Sequence, residues 1–160
     1  MLGITTGILA TATLALLFAV LSARGSTPLL TEERLAAAEQ LWAAQGPHSY
    51  NLDVTLGGSQ RGHIHVEVRD DQVINMTRDG HTPKQRRTWD YWTVPSQFDT
   101  IRQDMALAQH PQRPFGVGSP EQVVLRVEFD PHYGYPTRYQ RSVSGAPYDV
   151  EWQIDRFEVK

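Results

Sequence analysis

The rhythm of apolar and polar residues divides the chain into unlike stretches. Leu2–Ala23 has no rhythm: its 22 residues carry no charge and are apolar or small almost throughout. As a helix this stretch is about 33 Å long, enough for a hydrocarbon core of roughly 30 Å. A buried core helix is a poor fit, because the remaining chain is too small to surround a segment that is apolar on every face. A signal peptide wants a basic residue ahead of Leu2, which is absent, although Ala23 and Gly25 satisfy a small-x-small rule for cleavage after Gly25. The length fits an uncleaved single-pass anchor better. Residues 1–23 are therefore expected to be a transmembrane anchor or signal segment, 24–30 a short linker, and 31–160 a single domain.

From Thr31 the period becomes helical. Thr31 is placed as an N-cap, with Glu32 and Glu33 in the first turn and Leu30 and Leu35 at the two positions of a hydrophobic staple. Leu35, Ala38 and Trp42 then share one face, and Gly46-Pro47 ends the helix. Period-two alternation follows. Tyr50, Leu52, Val54 and Leu56 mark a first strand, and Ile64, Val66 and Val68 a second whose other face is His63, His65, Glu67 and Arg69. Asp70-Asp71 turns the chain into a third strand over Val73–Thr77. A second helix is read from Phe98, Ile101, Met105 and Ala108, with Pro95 near its start and Pro111 beyond its end. Val123, Leu125, Val127 and Phe129 make a fourth strand. Asp130–Pro136 connects it to a fifth, beginning at Thr137 and alternating through Val143. In the last strand Val150, Trp152 and Ile154 fall out of phase with Phe157 and Val159, which calls for a bulge near Asp155-Arg156.

The predicted fold is α+β: an antiparallel sheet of five to six strands with two helices on one face, order αβββαβββ, behind one N-terminal apolar helix. A net charge of −3 suggests neither an acidic tail nor a nucleic-acid surface. The absence of cysteine excludes disulfides, thiolate metal sites, cysteine nucleophiles and lipid attachment through an N-terminal cysteine.

Several residues together form a recognisable pattern: Trp42, then Tyr50-x-Leu52-x-Val54, then Val66-x-Val68, then Thr93-Val94 ahead of Phe98-x-x-Ile101. The pattern ends in Val127-Glu128-Phe129-Asp130-Pro131-x-Tyr133-Gly134-Tyr135-Pro136. It resembles an uncharacterised family of small bacterial envelope proteins, a domain of unknown function common in lipoproteins and secreted proteins, and spans about Leu35 to Val159. The chain lacks the lipid-attachment cysteine and the cysteine pair that members often carry. The resemblance implies an exported domain, held here by a helix instead of a lipid, and supplies no activity. It outweighs Arg24, which taken alone would favour a cytoplasmic domain by the positive-inside rule.

Three groups of residues carry candidate chemistry. His63 and His65 put two imidazoles on one strand face, roughly 7 Å apart at Cα, a workable pair of metal ligands that Glu67 continues. A catalytic zinc site needs a third ligand, for which His48, His81 or His132 are the candidates. Lys84, Arg86 and Arg87 run into Trp89, Tyr91 and Trp92, a mixture used by single-stranded nucleic-acid surfaces and, near a membrane, by headgroup contacts. Export and the acidic balance argue against nucleic acid, and the plainer reading is a loop whose Trp89 and Trp92 cover the edge of the core. Asp130, His132, Tyr133 and Tyr135 concentrate polar and aromatic groups in one turn, without a Ser or Cys nucleophile and matching base.

These observations lead to a membrane-anchored extracytoplasmic domain, non-enzymatic and without a cofactor, on the periplasmic side, or secreted if the N-terminal segment is cleaved. Trp89, Trp92, Tyr133 and Tyr135 are its expected binding residues. Its expected partners are the membrane through residues 2–23 and another envelope protein. The alternative is a metal-binding module or metal-dependent hydrolase using His63 and His65.

Overall fold

A computed structural model of the protein describes residues 27–111, 115–145 and 149–160; the expected anchor or signal segment lies outside them. Among the described residues no helix is long and apolar enough to cross a membrane.

Helix α1 spans Glu32–Gln45. Its cap is as the sequence requires: the Thr31 hydroxyl accepts from Arg34 N–H, and the Gly46 N–H closes the other end on the Trp42 carbonyl. Strands β1 (Tyr50–Gly58), β2 (Gly62–Arg69) and β3 (Gln72–Arg78) follow as an antiparallel meander. Asp70 and Asp71 both have positive φ, 48° and 63°, a conformation in which aspartate is among the tolerated non-glycine residues. Residues 79–95, irregular by their sequence pattern, begin with a second tight hairpin turn: Arg78 and His81 exchange both backbone hydrogen bonds across Asp79-Gly80. Asp-Gly is a favoured pair for such a turn, so this signal was present in the sequence. Two short 3₁₀ turns, Arg86–Thr88 and Asp90–Trp92, lead into α2 (Val94–Ala108), capped by Thr93 with Pro95 in its first turn. A second meander, β4 (Val123–Phe129), β5 (Pro136–Val143) and β6 (Val150–Val159), completes the fold.

The six strands form one sheet in the order β3-β2-β1-β6-β5-β4, so the two meanders meet where β1 pairs with β6. The helices cover one face. Leu52, Val54, Ile64, Val66, Val127, Tyr139 and Trp152 point into the layer they share with Leu35, Ala38, Phe98 and Ile101. Burying a Val, Leu or Ile fully is worth about 1.5–3 kcal/mol, so this layer is the dominant stabilising term. Alternate residues look the other way, onto an open face that is almost wholly polar.

Two bulges adjust the strands. In β6 the register moves by one between Asp53 and Val54, leaving Asp155 as the extra residue and bringing Phe157 opposite Leu52 on the buried side. The phase break in the sequence is thus satisfied. In β3 the extra residue is Ile74, 51 % exposed, because Val73 and Met76 both face the core although three residues apart. A bulge on an outermost strand also discourages pairing with another chain.

The opposite edge is covered. Residues 27–30, assigned to the linker by sequence, lie antiparallel along β4: Leu30 N–H donates to Leu125 O and Val127 N–H to Pro28 O. Arg126 reaches the Thr27 carbonyl, and Arg34 clasps the Leu29 and Val127 carbonyls together. Thr27 is buried by this strap.

Candidate functional site on the open face of the sheet

The bulge at Asp155 sets up the main polar cleft. Asp53, His63, His65, Thr77, Gly80 and Asp155 line an open depression of about 300 Å³ over β1, β2 and β6. The Thr55 hydroxyl donates to Asp155, so its oxygen is left to accept the Nδ1–H of His63 at 3.1 Å. His65 donates Nδ1–H to the Asp53 carboxylate at 2.6 Å. Asp79 accepts the His63 backbone N–H, tying the 78–81 turn to the rim of the cleft. Further along the same face the Asn75 amide donates to Glu67, and this bond, with His65 and Arg69 nearby, holds the Glu67 carboxyl below the usual carboxylate range. Across β6 and β5, Arg138 donates to Gln153 and Gln140 to Glu151. The face is a ladder of paired polar groups, rigid because most carboxylates and amides already have partners.

His63 and His65 do share this cleft, as their spacing implies. Each ring is committed at Nδ1 to a different residue of β1. Of the candidate third ligands, His48 pairs with Asp71 in the β2–β3 turn, His132 sits in the β4–β5 turn, and His81 Nδ1 bonds the Asp79 carbonyl. Among the described residues no group of three or more His, Cys, Asp or Glu side chains is placed to hold a metal ion.

The four aromatic residues lie elsewhere, on the helix side, and in two separate places. Tyr135 stacks on Phe157 at 4.2 Å and Tyr133 tilts against the same ring at 5.7 Å, continuing a cluster with Tyr50 and Trp42. Trp92 lines a narrow cleft with Leu56, Gly57 and Trp152. Phe157 and Trp152 pair with Leu52 and Leu56, four residues apart on β1 or about 13 Å, so the two aromatic loops pack at separate places along the sheet. Trp89 and Trp92 are half-buried against the core, with Arg86 over the Trp89 ring at 4.9 Å. Tyr91 is the exposed member of the loop, 65 % accessible. The Arg86 side chain also reaches Val73 O on β3, so the loop runs from that edge of the sheet inward to Trp92 over the central strands β1 and β6.

One polar group inside the core escapes a reading by residue type. Asp104, on the buried face of α2, accepts from Tyr139 Oη and from Arg141, both at 2.6 Å, and Phe115 lies under the Arg141 guanidinium at 5.0 Å. Burial, more than the carboxylate beside it, pushes the Tyr139 phenol far above its ordinary range. The only sequence signal is position: Asp104 sits three residues after Ile101 on the apolar stripe. This trio ties α2 to β5 with its polar atoms turned inward.

The profile of a family of unknown function (DUF6174) matches residues 34–111, just under half of the chain. The chain is thus similar to an uncharacterised domain family over α1, β1–β3 and α2, whereas the Asp130–Pro136 turn lies outside the matched residues. Nothing among curated proteins or solved structures matches the chain.

Proposed function

We propose that this chain is a membrane-anchored, extracytoplasmic binding domain of the bacterial cell envelope, without catalysis of its own, and that it meets its partner through the open face of the sheet. One observation carries the reading: two helices seal one face, while the other is polar, ordered by side-chain pairs, and indented at His63, His65, Asp53 and Asp155. Such a face offers fixed donors and acceptors at little cost in side-chain ordering on binding. The uncharged Leu2–Ala23 segment supports the anchor. The aromatic residues Trp89, Trp92, Tyr133 and Tyr135 contribute packing first, and recognition only at their exposed edges.

The metal-dependent alternative has two imidazoles in one cleft, but among the described residues no set of three ligands is placed to hold an ion, and it takes second place.

The test is cross-linking in cells followed by capture from membranes, comparing the natural chain with Asp53→Arg and with Tyr91→Ala. The reading expects a specific partner whose capture falls at least about tenfold with Asp53→Arg, the ~1.4 kcal/mol of a lost polar contact, and little with Tyr91→Ala. Capture indifferent to Asp53 but lost with Tyr91 would move the recognition surface to the aromatic loop.

A further inference from the structure

The strap fixes more than the edge of β4. Because residues 27–30 run antiparallel to that strand, the chain reached by counting back from Leu30 heads toward Phe129 and the β4–β5 turn. Thr27 is held there by the Arg126 guanidinium, is itself buried, and belongs to the sheet rather than to a free tether. Only Arg24, Gly25 and Ser26 separate it from the apolar segment. Three residues span at most about 10 Å, and the headgroup layer on each side of a bilayer is roughly 5–8 Å thick.

From this we propose that the domain stands on the membrane in one orientation: the β4 edge and the Asp130–Tyr135 turn rest in the headgroup layer, and the β3 edge points away. The partner of this surface is the lipid interface, and the inference rests on the anchor reading above. The turn suits that place. Pro131 and His132 are exposed, and Tyr133 presents a half-buried ring with a polar tip, the amphipathic type that settles at headgroup depth. One oxygen of the Asp130 carboxylate accepts the His132 and Tyr133 N–H groups, which lessens its demand for water and leaves the other oxygen to face the hydrated headgroup layer. Gly134 packs the turn against Ala38 and Leu41 of α1, so the surface is rigidly joined to the body of the domain. The open face then stands to the side of the membrane, accessible to a partner in the same envelope space.

The chain has no cysteine, so single-cysteine variants report unambiguously. His132→Cys and Ile74→Cys, each spin-labelled in the full chain, would be reconstituted in vesicles of phosphatidylcholine and phosphatidylglycerol containing a nickel-chelating lipid. The orientation expects relaxation by headgroup nickel to be at least about fivefold stronger at 132 than at 74, because the turn, packed on β6, and the outermost strand β3 are at least three strand spacings, about 14 Å, apart. Adding Arg34→Ala, which unclasps the strap, should shrink that ratio. Equal relaxation at both sites in a chain that floats with the vesicles overturns the orientation and leaves the anchor intact. A chain that does not float with the vesicles overturns both.

Discussion

At the scale of single residues, Gly134 is a position where the fold leaves no room for a side chain. It has φ +83°, and a Cβ there would lie 2.4 Å from the Ala38 carbonyl oxygen and 3.1 Å from Leu41 Cβ. Backbone cannot step aside as a side chain can, so Gly134→Ala meets both left-handed strain and a clash. Gly80, at φ +78° with nothing within 4 Å, isolates the strain alone. The expected costs are about 3–4 kcal/mol for Gly134→Ala and about 1 kcal/mol for Gly80→Ala, read from urea midpoints at constant slope. Equal losses at the two positions would mean that the turn does not press on α1. The buried tyrosines make a second prediction. The Tyr50 oxygen accepts the N–H of Val94, one of the donors an α-helix leaves unpaired at its start, and burial pushes the phenol up to about 12. Tyr135 is also raised to about 12, by burial and by Asp130 and Tyr133 beside it. A folded pKa above the unfolded value of about 10 means that the unfolded state loses its proton first as pH rises. The stabilisation is whole below pH ~10 and is lost between about pH 10 and 12, on the order of 3 kcal/mol for Tyr50. Absorbance at 295 nm should therefore show phenols that ionise only as the fold is lost. Full, reversible ionisation near pH 10 in the folded protein would contradict this.

At the scale of elements, what could be read from the sequence depended on whether each element's determinant was local. Thr31, Gly46 and the Leu35–Trp42 spacing specify α1 without outside help, and they are matched to within a residue. The bulge in β6 was legible because Ile154 and Phe157 both need the buried face yet stand an odd number of residues apart. The same arithmetic applies to Val73 and Met76, and its consequence, Ile74 turned outward, was there to be found. The strap was not legible. Thr27-Pro28-Leu29-Leu30 carries no strand signal, and what holds it are backbone bonds to β4 and two arginines, one of them nearly 100 residues away. Long-range pairing of that kind has no imprint in local rhythm. The candidate site divides the same way: the shared face of His63 and His65 follows from period two, whereas Asp53 and Asp155 join them only through strand order and a bulge. Asp104 was hidden for another reason, since an acid on an apolar stripe is intelligible only once Tyr139 and Arg141 are known to face it.

At the scale of the whole molecule, the family match and the folding unit do not coincide. Residues 34–111 contain α1, β1–β3 and α2, but not the strands on which that half depends. The β1–β6 pairing runs the full length of β1, from Tyr50 opposite Val159 to Gly58 opposite Val150. Cutting the chain after residue 111 exposes β1 as a long edge strand and removes Val123, Leu125, Val127, Tyr139, Val143, Trp152 and Ile154 from the core. At about 1.5–3 kcal/mol for each large side chain, the burial lost is on the order of 10–20 kcal/mol, as large as the whole stability of a typical domain, about 5–15 kcal/mol. The two meanders are therefore expected to fold as one cooperative unit. A fragment of residues 27–111 should show no cooperative thermal transition by far-ultraviolet circular dichroism and should aggregate through β1. The domain from residue 27 to 160 should give one transition, identical by circular dichroism and tryptophan fluorescence. A sharp, reversible transition in the fragment would instead make the first meander and its helices an autonomous domain, with β4–β6 a separable addition to it.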